Sequence, residues 1–199
     1  MQNKPDADLT SALNYSNLLF ANVVDWYKSA DAKAQVILTL DGALVAFLTT
    51  SIFKAPSEVS LIIRSFTRPT RLLLIAMCLC LAGSIISALM CLWSRINLAA
   101  KRDSVLGREK ERIDAGVKHY SPSVTLFFKT ISWLDHDKFQ EQLLTTDAAF
   151  HIRALASQAY LLSRRIYVKH KLVNAGFILA GASLILFLAS GVSYLVGLK

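Results

Sequence analysis

The dipeptide His136-Asp137, in "LDHDKF", is of a type that metal phosphohydrolases use to hold hydrolytic metal ions. Such a centre needs further His and Asp ligands from other helices. His119, His151 and His170 do not stand at any ligand spacing relative to it. In "DKFQ" the same aspartate reads instead as a helix cap, with Gln140 three residues on completing a capping box. Cys78, Cys80 and Cys91 all fall in one apolar stretch, and the odd count argues against a disulfide framework or a thiolate metal site. They read as small hydrophobes. No glycine loop for phosphate and no nucleophile elbow is present. The expectation is a protein with no catalytic residues, no metal and no cofactor.

A different chemistry is implied by Asp41, the lone charge in "AQVILTLDGALVAFLTTSIF". A carboxylate within hydrocarbon costs about 3 kcal/mol on insertion scales and faces a helix bundle or water to relieve that cost. Two pairs of small residues four apart, Gly83 with Ser87 and Gly176 with Ala180, lie on single helix faces and let backbones approach closely in lipid. The spacing leaves open whether that approach is within one chain or between chains.

The elements that must carry these residues are dictated by composition. Of 199 residues 54% are hydrophobic and 18% charged, below the quarter or so usual in soluble domains, and mean hydropathy is +0.43. A bilayer core takes about 20 apolar helical residues. Residues 34–53, 72–93 and 172–198 qualify, and the latter two contain no charge. The fold class is therefore an all-α integral membrane protein. Residues 1–33 form a cytoplasmic tail and amphipathic helix, with Leu13, Leu18, Leu19, Val23, Trp26 and Tyr27 on its apolar side. Residues 54–71 form an external loop, and 94–171 a cytoplasmic helical insert. No apolar leader with a cleavage site opens the chain.

Lysines and arginines set the orientation. Three lie in the tail and fourteen in the insert, against four in the 54–71 loop and one after the last span. Seventeen against five puts the N-terminus inside. The formal net charge of +8 then reflects topology and attraction to anionic lipid, with no nucleic-acid partner required. Within the insert, "SVLGREKERI" is helix-forming, "HYSPS" a break at Pro122, and "VTLFFKTISWL" a short apolar helix or a helix lying against the membrane. From Lys138 onward three-to-five spacing of apolar residues meets no Pro or Gly before the last span, which predicts one long helix into the membrane.

With these elements placed, "SADAKAQVILTLDGALVAFL" resembles the start of the transmembrane effector of Pycsar, a bacterial anti-phage signalling system. That family opens with Ala-Asp-x-Lys-Ala, matched by Ala30, Asp31, Lys33 and Ala34. Its Phe-Phe-x-x-Ile stretch, acidic aromatic segment and Leu-Ala-x-Gln helix are matched in order by Phe127, Phe128, Ile131, Phe139, Leu155, Ala156 and Gln158, with Ser163 and Lys169 following. Where relatives place an acidic residue just before Leu-Ala-x-Gln, this chain has Arg153 and Ala154. The resemblance covers residues 17–190. It implies a membrane-disrupting effector of the bacterial inner membrane; because three spans are too few to enclose a wide aqueous pore, the expectation is a homo-oligomer acting on the lipid bilayer. Its activating ligand would be cyclic CMP or cyclic UMP, made by a partner cyclase, and the outcome abortive infection. Arg153, Arg164, Arg165 and Lys169 are the candidate contacts for a cyclic phosphate, and Asp41 with Thr39, Thr49 and Thr50 the candidate lining of the lesion. The competing reading is a membrane-anchored scaffold or regulator that binds a protein partner through the insert.

Overall fold

The computed structural model describes residues 4–54, 66–93, 111, 115, 120 and 131–197. Four helices are described, α1 (Lys4–Lys54), α2 (Arg68–Leu92), α3 (His136–Thr145) and α4 (Ala148–Gly197). No strand occurs among the described residues. Three of the helices, α1, α2 and α4, are long and apolar enough to cross a membrane.

The 51 residues of α1 form one uninterrupted helix because Pro5 sits in its first turn, where a missing N–H is harmless, and Gly42 is its one glycine. Its buried side chains are Val23, Ala30, Ala34, Ile37 and Asp41. Half-buried Leu13, Ser16, Phe20, Tyr27, Leu44 and Leu48 fill the intervals between and beyond them. Together these positions alternate steps of three and four along the helix, the seam of a coiled-coil-like packing. In α4 the same alternation runs from Ile152 through Ala159, Ile166, Lys169, Val173, Gly176, Ala180 and Ser183 to Ser190. In α2 it runs Thr70, Leu74, Met77, Leu81, Ser84, Ala88, Cys91. The apolar stripe read from residues 9–33 is narrower than the sequence indicates, because Leu18, Leu19 and Trp26 are exposed.

The chain divides into two compact units. The first comprises Met1–Tyr27 and Ser94–Ile166, the second Lys28–Trp93 and Tyr167–Lys199. In the first, Val23 of α1 meets Ala159 and Ile166 of α4, with Phe20, Tyr27 and Leu162 against them. In the second, Ala34 and Ile37 of α1, Ala88 and Cys91 of α2 and Val173 of α4 form the core. Contacts fix its topology. Phe47 stacks edge-on to Phe187 at 6.1 Å and Asp31 pairs with Lys169, so α1 and α4 run parallel. Thr70 lies 2.9 Å from Ser193 and the Ser87 hydroxyl donates to Leu172 O, so α2 runs antiparallel to both. The result is an up-down-up bundle of three helices.

Two sequence expectations are corrected here. The helix expected to run unbroken from Lys138 stops at Thr145 and restarts at Ala148. Three successive side chains that bond the local backbone end it: Thr145 Oγ donates to Glu141 O, Thr146 Oγ to Gln142 O at 2.6 Å, and Asp147 accepts from Phe150 N at 2.7 Å. Such side chains stop a helix without Pro or Gly. The cap of α3 is Asp135, which accepts from Lys138 N at 3.1 Å. Asp137 falls inside the first turn, where its charge suits the helix dipole. The "HYSPS" break apart from Tyr120, most of "SVLGREKERI", and residues 124–130 of the apolar segment lie outside the described residues.

Candidate functional site

The paired charges of the second unit begin at the Ala-Asp-x-Lys-Ala stretch. Ala30 and Ala34 are fully buried, and their small side chains let α1 approach α2 and α4 closely. Between them Asp31 turns toward α4, where its Oδ1 accepts from Lys169 Nζ. Lys169 occupies a seam position of α4 and is 8% exposed. A lysine so placed would be prohibitively costly without a counter-charge. Asp31 supplies that counter-charge from 138 residues away. Lys33, two residues on, is exposed.

Ten residues along the same helix, Asp41 occupies the same seam and is 2% exposed. Its Oδ2 is buried with no hydrogen-bond partner among the described residues. The hydroxyls that share this core are committed elsewhere. Ser84 donates to Gly176 O at 3.0 Å and Ser183 to Ala180 O at 2.8 Å. Thr39, Thr49 and Thr50 do not join Asp41. They are exposed, and each donates to the carbonyl four residues back. Thr39 lies about 200° around the helix from Asp41.

The small-residue pairs pack within one chain. A Cβ added at Gly176 would stand 3.0 Å from Ile37 Cδ1, and one at Gly83 3.1 Å from Leu179 Cδ1. Ala180 and Ser87 are buried in the same bundle. Around this polar, closely packed interior, Leu72, Ile75, Leu79 and Ile86 of α2 and Ile178, Ile185 and Leu188 of α4 are exposed. An apolar exterior over a core of hydroxyls is the pattern that lipid imposes.

The first unit holds an open cleft of about 400 Å³ where α3 meets α4. Gln142 and Tyr120 build its wall. Tyr120 N donates to Gln142 Oε1 at 2.7 Å and Gln142 Nε2 donates to Tyr120 O at 2.8 Å, while Tyr120 Oη accepts from Asp135 N at 3.3 Å. Asp147, Phe150 and Arg153 line the α4 side. Arg153 is exposed, and it faces the cleft that Arg164 and Arg165 do not line. Arg164 is exposed and Arg165 half-buried, further along α4. Among the described residues no acid pairs with any of these three arginines. Gln158 is half-buried and engaged. Phe127 and Phe128 lie outside the described residues. No group of His, Cys, Asp or Glu among the described residues could hold a metal ion. The cysteines are free, with Cys91 buried, Cys80 half-buried and Cys78 exposed.

The Pycsar effector protein domain matches the chain over residues 16–197. The chain belongs to the Pycsar effector family. Neither a curated protein nor a solved structure matches it. As a family member with three long apolar helices, it is a multi-pass membrane protein and an anti-phage defence effector. The Asp31–Lys169 pair gives the Ala-Asp-x-Lys-Ala stretch a physical role, since its acid seats a buried cation.

Sequence reading alone missed this pairing, the Gln142–Tyr120 clamp and the Asp135 cap. Lys169 and Asp31 were both visible as motif residues, but nothing in one sequence pairs positions so far apart. Gln142 looks solvated on a helix whose exposed face carries Glu141 and Leu144.

Proposed function

We propose that this effector, without itself acting as an enzyme, impairs the bacterial inner membrane on binding a cyclic pyrimidine mononucleotide, cyclic CMP or cyclic UMP, and thereby aborts infection. Family membership across nearly the whole chain carries this reading. The membrane-facing half of the mechanism draws on Asp41. One chain supplies three closely packed helices, too few to enclose a wide aqueous pore. In that packing Asp41 Oδ2 is buried without a partner among the described residues, a cost of about 3 kcal/mol on insertion scales. Association of several copies would relieve it by bringing Asp41 against a polar group of another subunit or into water. The closed bundle is thus the state a homo-oligomer would replace.

The ligand's single negative charge calls for cations in the cytoplasmic insert. Lys169 is already held by Asp31, so Arg153, Arg164 and Arg165 are the stronger candidates. The seventeen-to-five division of basic residues supports an N-terminus and insert in the cytoplasm. Reporter fusions at Ser60, Tyr120 and Lys199 should read outside, inside and outside.

Dye entry is the functional test. In cells carrying the chain with its neighbouring operon genes, phage challenge should admit an impermeant dye. Asp41→Leu should still insert, because the span becomes more apolar, yet should lose that entry. A variant that leaks like the parent would leave Asp41 a packing residue and remove the mechanism. Intact membranes with the parent chain would favour the scaffold reading instead.

A further inference from the structure

We infer that the cleft between α3 and α4 is the nucleotide site and that it selects cytosine over uracil; this rests on the proposed activation by a cyclic pyrimidine. Asp147, immediately before α4, and Phe150 and Arg153 in its first turns line the same cleft. Arg153 stands about 9 Å from Asp147 along the helix axis. A cyclic nucleotide carries its phosphate and its exocyclic base group at opposite ends, and the order of side chains matches that polarity. The Arg153 guanidinium meets the phosphate. The half-buried Phe150 ring offers the base a stacking face between the two ends.

The Asp147 end of the cleft offers acceptors. Asp147 spends Oδ1 on Phe150 N at 2.7 Å, which leaves its second carboxylate oxygen with lone pairs to offer. The Thr145 and Thr146 hydroxyls that line the same end have committed their protons to backbone carbonyls of α3. Their oxygens can therefore only accept. Cytosine presents an amino group with two N–H donors to such a surface, and an acidic side chain accepting from cytosine N4 is a standard pairing. Uracil presents the O4 carbonyl in its place. Its one ring N–H is flanked by two carbonyl oxygens, so engaging that donor would press both against the carboxylate. The paired hydrogen bonds between Gln142 and Tyr120 keep the opposite wall in place.

Calorimetry on the full chain in detergent, with cyclic CMP and cyclic UMP titrated separately, tests the assignment. Cyclic CMP should bind about tenfold more tightly than cyclic UMP, the discrimination one good base contact supplies. Arg153→Ala should weaken both by about tenfold or more, while Arg164→Ala with Arg165→Ala should leave the preference between them unchanged. Asp147→Asn retains a capping side chain but adds an amide donor, and should bring the two affinities within about threefold. Circular dichroism on each variant confirms that the helices are intact. Equal affinities in the parent, or a preference for cyclic UMP, would overturn the cytosine assignment. Undiminished binding in Arg153→Ala would move the site out of this cleft while leaving pyrimidine activation standing. Failure of both nucleotides to bind the parent would remove the underlying reading as well.

Discussion

In the first unit the packed cluster is Val23, Ala159 and Ile166, with Phe20 and Leu162 around them, and Gln142 is its buried polar side chain. In the second the interior includes Thr70, Ser84, Ser87, Ser183, Asp41 and Lys169, while isoleucines and leucines cover the outside. Both units use the same three-four seam of the same two helices, so the backbone geometry does not distinguish them. The solvent does. In water, burying Val23 or Ile166 is itself the driving force. In lipid, exchanging a leucine's surroundings from lipid to protein yields almost nothing, and cohesion comes from close packing and interhelical hydrogen bonds. The second unit shows both devices, in Gly176 against Ile37 and in the serine bonds to Gly176 O and Leu172 O.

Two aspartates on α1 sharpen the contrast. Asp31 has a cation and Asp41 Oδ2 has no partner among the described residues, though ten residues of one helix separate them. Removing the cation should produce the largest loss of stability. Lys169→Met would leave Asp31 uncompensated beside a packed core, at a cost of about 3 kcal/mol. The partial exposure of the Asp31 side chain, 30%, keeps the effect from being larger. The double variant Asp31→Asn with Lys169→Met should recover most of that loss, as removing both members of a pair is far milder than removing one. Thermal unfolding of the purified protein in detergent reads both. A single variant as stable as the parent would mean that the pair contributes nothing to the seam.

A smaller effect separates two glycines of the same bundle. Gly176→Val should destabilise it by about 2 kcal/mol, because the added atoms enter space held by Ile37 and approach the Ser84 carbonyl. Trimming the opposing side chain with Ile37→Ala in the same chain should offset part of that cost. Gly42→Ala, where an added Cβ meets nothing within 4 Å, should instead stabilise α1 by about 1 kcal/mol through helix propensity. Opposite signs from two glycine substitutions in one unit would show that close approach, and not glycine content, holds the helices together.

Much of this architecture is legible in the residues themselves. Spans without charge are hard to mistake. The seam is legible too, once three-four spacing is followed through Ala30, Ala34, Ile37 and Asp41. The break at Thr146 and Asp147 is not, because it depends on which of several competing local hydrogen bonds a short polar run adopts. The cap of α3 is ambiguous for the same reason, since Asp135 and Asp137 both satisfy the capping rule. The site residues divide likewise. Arg153, Arg164 and Arg165 are conspicuous as charges, but the cleft that distinguishes Arg153 from the others is made by Tyr120, Gln142 and Phe150. Each of these reads as ordinary in sequence, and only the fold brings them together.

The smallest expected effect concerns the threonines once grouped with Asp41. Thr39 and Thr50 lie on one exposed face of α1, their hydroxyls turned back to Gln35 O and Ala46 O at 2.9 and 2.8 Å. A hydroxyl bonded in this way satisfies itself and offers little to a neighbouring helix or to water. Valine matches threonine in shape and loses only that local bond. The double variant Thr39→Val with Thr50→Val should therefore change stability by no more than about 0.5 kcal/mol, as surface substitutions away from special features do. It should admit dye on phage challenge as the parent does, in contrast to Asp41→Leu. Loss of dye entry with stability unchanged would place the exposed face of α1, and not its buried seam, at the lining of the lesion. The two outcomes distinguish a bundle that opens along its own interior from copies that associate through their outer faces.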